Sequence, residues 1–207
     1  MSLDAIARKY GTDKYFKLGG GHNYTPFYDM ILKGRDVTSM LEIGVQGGES
    51  LKMWRDYFPE AMIYGWDIVD LKHLDSDRIL NYVVDQGKAS RIAEFFDKND
   101  VMFDFVIDDG SHKVEDQIVS LFNIWPYLNQ GGVYIIEDMW HDIFDCFLYR
   151  SFRDSYFYEI DKGIIEIAGV ERVNYLLNNL VCVQKNNVVF SSSDDKTDHI
   201  FYTFFKK

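Results

Sequence analysis

Cysteine and proline are scarce in this chain, and no stretch of it is strongly basic. Its two cysteines, Cys146 and Cys182, stand 36 residues apart with no C-x-x-C pair and no Cys/His cluster, which points to neither a disulfide framework nor a zinc site and fits a reduced, cytoplasmic setting. Three prolines and no low-complexity run, beside 47% hydrophobic residues, set it apart from disordered and collagen-like compositions. The 22 basic residues are scattered among 33 acidic ones, for a net charge of −11, so nucleic acid and anionic membrane are excluded as expected partners. No apolar run approaches the ~20 residues of a spanning helix. The opening MSLDAIARKYGTDK carries charges where a signal peptide needs an apolar stretch of roughly seven or more. The expectation is a soluble, non-exported protein with residues 1–207 as one domain.

What the chain has is a repeating pattern. Ser2 is placed to cap a short helix through Tyr10, and Gly11 with the Gly19-Gly20-Gly21 run makes residues 1–34 a helical and lid-like segment, with a second helix over Pro26–Lys33 closed by Gly34. Five apolar runs then end on acids: SMLEIG (39–44), MIYGWD (62–67), ILNYVVD (79–85), FDFVIDD (103–109) and GVYIIED (132–138). Helical spacing fills the gaps at Ser50–Tyr57, Ala89–Phe96 and Glu115–Trp125. Strands alternating with helices predict an α/β fold, an open and mostly parallel Rossmann-like sheet with helices on both faces. LVCVQ (180–184), NVVFSS (187–192) and HIFYTFF (199–205) predict an antiparallel C-terminal edge. In a parallel sheet with right-handed crossovers all five acidic ends share one rim, where ligands bind.

The first turn, LEIGVQGGES (41–50), brings Gly44, Gly47 and Gly48 between strand and helix, with Ser50 placed to cap that helix. Its spacing is not the dinucleotide G-x-G-x-x-G. Glu42 adds a carboxylate that repels a pyrophosphate and attracts an ammonium group, so a cationic, amino-acid-like ligand is favoured over NAD. Asp67, 23 residues past Gly44, is near the ~20-residue offset at which a carboxylate takes ribose hydroxyls. Asp85 and Gln86 extend a nucleoside site, or form a solvated turn. In FVIDDGSH (105–112), Asp108, Asp109 and His112 crowd one turn, and Glu137 and Asp138 end the fifth strand. Parallel neighbours lie about 4.8 Å apart, so if strands four and five pair, four carboxylates meet. A hard divalent cation resolves their repulsion, and oxygen ligands favour Mg²⁺, Mn²⁺ or Ca²⁺ over zinc. The bland alternative is that Asp109 or Ser111 caps the helix at Val114. His112 is the candidate general base, ahead of His22, His73, His141 and His199.

YGTDK (10–14), HNYTPFYDMIL (22–32), LEIGVQGGESLKMW, the Asp85-Gln86 pair, DDGSH and GGVYIIED together resemble the metal-dependent sugar O-methyltransferases of the mycinamicin and macrocin type, over most of residues 8–140. The resemblance implies an S-adenosylmethionine-dependent class I methyltransferase assisted by Mg²⁺. It implies that Asp109, Glu137 and Asp138 ligate the metal, that His112 accepts the hydroxyl proton, and that Glu42, Gly44, Ser50, Asp67, Asp85 and Gln86 hold the methyl donor, with Gly48 and Asp108 beside them. Thr12, Asp13, Lys14, His22, Tyr24 and Tyr28 are implied as lid residues, the two tyrosines equally as packing. The implied partner is a hydroxylated small molecule, a sugar or glycosylated compound; a homo-oligomer stays open. By that resemblance the chain is expected to lack the additional N-terminal region some relatives use for assembly, and residues 140–179 depart from the family's pattern, leaving acceptor recognition open. Two rivals remain. One is a nicotinamide-dependent oxidoreductase or epimerase, for which Tyr-x-x-x-Lys occurs at Tyr10/Lys14, Tyr158/Lys162 and Tyr202/Lys206. The other is a non-catalytic nucleoside-binding module whose acids merely cap helices.

Overall fold

The computed structural model describes residues 1–17, 21–139, 143–145, 162–189 and 198–207. Gly19, Gly20, His141, Cys146, Tyr158 and the end of NVVFSS lie outside the described residues.

The five apolar runs are parallel strands: β1 (Ser39–Ile43), β2 (Met62–Asp67), β3 (Ile79–Val83), β4 (Phe103–Asp108) and β5 (Leu128–Ile136). They read as unbroken apolar runs because both faces are covered. Leu41, Ile43, Trp66, Val106, Tyr134 and Ile136 pack on one side with α4 (Ala89–Lys98), α5 (Val114–Ile124), α6 (Lys162–Ala168) and α7 (Val170–Asn179). Met40, Ile63, Phe105, Ile107, Val133 and Ile135 pack on the other with α1 (Leu3–Tyr10), α2 (Thr25–Leu32) and α3 (Glu49–Tyr57). Each such side chain removed from water contributes about 1.5–3 kcal/mol. Capping fixes the first helix as expected: Ser2 Oγ accepts the Ala5 N–H at 3.3 Å, and Gly11 closes the far end at φ 76°.

The C-terminal runs add β6 (Leu180–Val189) and β7 (Asp198–Lys206), giving the order β3-β2-β1-β4-β5-β7-β6. β7 pairs antiparallel with both β5 and β6, so the antiparallel edge holds. LVCVQ and the start of NVVFSS are one continuous strand, not two. Residues 129–132 belong to β5, where the register with β4 shifts between Phe103 and Phe105 and Gly131 sits at φ 74°.

Register places the site. Ile43 lies beside Asp108, and Asp108 beside Ile136, so the next residue on each strand, Gly44, Asp109 and Glu137, emerges at one rim. Pairing continues past the strand ends, with Asp109 N–H to the Ile43 carbonyl and Glu137 N–H to the Asp108 carbonyl, both 2.9 Å.

Candidate active site

The rim carries a cavity of about 620 Å³, within the roughly 300–1,000 Å³ usual for small-molecule clefts. Gly44, Ser50, Trp66, Asp67, Asp85 and Gln86 line it on the side of β1 to β3, and Asp109, His112 and Asp138 on the side of β4 and β5. A second cleft, about 550 Å³, lies among Asp29, Arg35, Val37 and Glu60 ahead of β1 and gathers none of the expected residues.

The glycine turn is shaped by close approach. Gly44 sits at φ 86°, and a Cβ there would stand 2.1 Å from the Asp109 carbonyl oxygen, so only glycine lets the turns after β1 and β4 touch. Asp67 grips that turn: Oδ2 accepts the Val45 N–H at 3.0 Å and Oδ1 the Val69 N–H at 3.1 Å. Ser50 departs from expectation. Gly48, at φ 78°, is the α3 N-cap, and Ser50 Oγ instead donates to Glu42 Oε2 at 2.8 Å. Glu42 is fully buried, and its Oε1 has no hydrogen-bond partner among the described residues. Burial, only partly offset by Lys14 and Ser50, pushes its carboxyl up to about 7.

Asp85 folds back on the Gly87 N–H at 3.1 Å and pairs with Lys88 at 2.9 Å, whereas Gln86 is buried. Gln86 Nε2 donates to Asp108 at 2.8 and 3.0 Å, and its Oε1 accepts the Ser111 N–H at 2.9 Å. Asp108 does not line the cavity: it is fully buried, takes a hydrogen bond from Ser120, and is pushed up to about 6 by burial. It anchors Gln86, which in turn holds the Asp109–His112 turn.

At the other wall, ligand atoms of Asp109, His112 and Asp138 all lie within 4.8 Å of one another. Donors across a hard cation stand about 4.2–5 Å apart, so these residues fit such an ion. His112 and Asp138 are held at φ 57° and 49°, a left-handed conformation costing about 1–3 kcal/mol each that concentrates at functional sites. His112 Nε2 lies 3.1 Å from Asp109 Oδ1, and that contact raises the imidazole pKa. Glu137 is wholly buried, bonded by Tyr28 and by Lys14, and is held well above the carboxylate range by burial and by Asp109. Tyr24 donates to Asp138.

Neither capping nor the Tyr10/Lys14 and Tyr202/Lys206 pairs account for this, and Tyr158 of the third pair lies outside the described residues. The N-caps of α3, α4 and α5 are Gly48, Lys88 and Lys113, none with a side-chain cap bond. Ser111 accepts the Lys113 N–H at 3.2 Å and Asp109 caps nothing. Tyr10 bonds Asp56 while Lys14 bonds Asp109, and Tyr202 bonds Asp145 while Lys206 bonds the Trp125 and Leu128 carbonyls.

No family model matches the chain. Over 150 residues it is 39% identical to mycinamicin VI 2''-O-methyltransferase of Micromonospora griseorubida, covering 67% of this chain and 36% of that enzyme. Over 211 residues it is 31% identical to L-olivosyl-oleandolide 3-O-methyltransferase of Streptomyces antibioticus, covering 92% of this chain and 54% of the relative. It superposes on MycE methyltransferase from the mycinamycin biosynthetic pathway, solved with Mg, SAH and mycinamycin VI, with a TM-score of 0.66 and 26% identity over 100% of this chain and 55% of that one. The chain is a homologue of these sugar O-methyltransferases. It spans between about a third and a little over half of their length.

Beside its methyltransferase relatives, the chain's least expected feature is Lys14. This residue is 1% exposed and its ammonium sits among Asp109, Glu137 and Glu42. Burial works against its charge, and the surrounding carboxylates outweigh that and raise its pKa. The same ammonium, with His112, draws Asp109 well below the usual carboxylate range against the opposing effect of burial. On sequence alone a hard divalent cation is what relieves the carboxylates, and Lys14 belongs to a lid. The structure shows a lysine charge within the cluster itself. Among the described residues, no helix is long and apolar enough to cross a membrane.

Proposed function

We propose that this chain acts as an S-adenosylmethionine-dependent, divalent-metal-assisted O-methyltransferase on a hydroxyl of a sugar, sugar nucleotide or glycosylated small molecule. The observation that carries the reading is the convergence of Asp109, His112 and Asp138 ligand atoms within 4.8 Å, on the wall of a cavity whose other wall is the glycine turn with Asp67. The homology to sugar O-methyltransferases supports the acceptor class.

Glu42 offers to an ammonium group its buried Oε1, which accepts no hydrogen bond and lies 3.8 Å from Lys14 Nζ, relieving an oxygen that otherwise costs the fold. Asp67 and Asp85 present carboxylates to ribose hydroxyls, and Gln86 keeps the adjoining turn in place. Asp109 and Asp138 would hold Mg²⁺ through carboxylate oxygens, and Glu137, which stands outside that convergence, would join them once freed from Lys14. Bound donor and metal supply an electrophilic methyl group and a Lewis acid that makes a hydroxyl more acidic. His112, oriented by Asp109 as a base is oriented by a carboxylate in hydrolytic triads, takes the hydroxyl proton. Holding acceptor and donor in line supplies much of the rate.

The test is a screen of nucleotide sugars and glycosylated small molecules for transfer of labelled methyl, with Mg²⁺ and with a chelator. Chelator-sensitive transfer supports the reading. Binding of NAD without binding of S-adenosylhomocysteine overturns it in favour of the nicotinamide alternative.

A further inference from the structure

The carboxylates at the rim already hold a cation, and the chain itself supplies it. Lys14 Nζ stands 2.6 Å from Asp109 Oδ2 and 3.0 and 2.8 Å from the two oxygens of Glu137. The ammonium thus lies within hydrogen-bond reach of three oxygens from two largely buried carboxyl groups, where attraction between charges is far stronger than at a surface. Asp109 is shared: its other oxygen faces His112, on the side where the His112 and Asp138 ligand atoms converge.

The backbone ties this lysine to a larger unit. The Lys14 carbonyl accepts the N–H groups of Tyr24 and Thr25 at 2.8 and 3.2 Å, and the Asp13 carbonyl accepts that of His22 at 2.7 Å. Tyr24 and Tyr28, carried on the same segment, donate to Asp138 and Glu137. Lysine and both tyrosines therefore strap the N-terminal segment to the groups that are candidates for metal.

We propose that the Lys14 ammonium is a built-in counter-cation that competes with a divalent ion for Asp109 and Glu137, so that metal entry loosens the backbone bonds of Asp13 and Lys14 to His22, Tyr24 and Thr25 and metal loss restores them. The inference rests on the metal-assisted reading above. Two cations drawing on the same buried carboxylates repel each other. The linkage is reciprocal: whatever factor formation of these bonds takes from metal affinity, metal takes from their formation.

The probe is Mn²⁺, titrated calorimetrically into wild type and Lys14→Met, which keeps the stem and removes the charge. The variant is expected to bind Mn²⁺ about tenfold or more tightly than wild type. In wild type alone, Mn²⁺ is expected to speed hydrogen exchange at the His22, Tyr24 and Thr25 amides. Equal or weaker Mn²⁺ binding by the variant overturns the proposal and leaves the metal-assisted reading standing, as does unchanged or slowed exchange at those amides. Absence of Mn²⁺ binding to either protein overturns both. Should Lys14→Met fail to fold, the wild-type exchange measurement decides alone.

Discussion

Replacing Glu42 by glutamine separates what the fold tolerates from what the site uses. Glu42 is fully buried, and burial pushes its carboxyl to about 7 from an ordinary value of 4.5. An acid whose folded pKa is raised costs the fold nothing while protonated. The cost begins as pH rises past about 4.5, grows to about 3 kcal/mol near pH 7 and is constant above it. Glu42→Gln keeps the shape and an acceptor for Ser50, so it is expected to stabilise the unliganded protein by up to about 3 kcal/mol at pH 8, raising Tm by roughly 6–12 °C for a chain of this size. At pH 4 the two proteins should melt alike. The same change removes the carboxylate offered to the donor's ammonium group, so affinity for S-adenosylhomocysteine should fall about tenfold or more. Thermal melts from pH 4 to 8 and calorimetry at pH 8 read both effects. A variant less stable at pH 8, or one that binds the nucleoside as well as wild type, refutes the assignment of Glu42.

Gly44→Ala drives a Cβ to 2.1 Å from the Asp109 carbonyl at a φ of 86°; a loss of about 3 kcal/mol or more is expected in urea denaturation. His112→Ala should cut turnover by about 100-fold or more while leaving nucleoside affinity unchanged, and an unaltered rate removes His112 from the chemistry. Ser120→Ala strips a donor from fully buried Asp108 and should cost about 1–3 kcal/mol, seen as a lower denaturation midpoint.

The five parallel strands were legible because a strand buried on both faces must be apolar throughout, and each run closes on an acid where the chain leaves the sheet. Pairing of β4 with β5, which brings Asp109 beside Glu137, follows from that architecture. What stayed hidden depends on partners distant in sequence. Asp108 and Asp109 are adjacent, and alternation sends one inward to Ser120 and Gln86 and the other to the cavity, but the sequence does not say which. Ser50 sits two residues past the cap of α3, because Gly48 takes that place at a positive φ. Lys14 reaches across 95 residues to Asp109 and 123 to Glu137, a contact set by how the N-terminal segment crosses the sheet edge, and no local pattern announces it.

The proposed chemistry requires a divalent ion beside the cavity. Calorimetric titration of Mg²⁺ into protein saturated with S-adenosylhomocysteine measures this directly, in wild type and in the Asp109→Asn, Asp138→Asn double variant. One ion bound by wild type and none by the variant is the predicted result. Silence in wild type, or equal binding by both proteins, contradicts it.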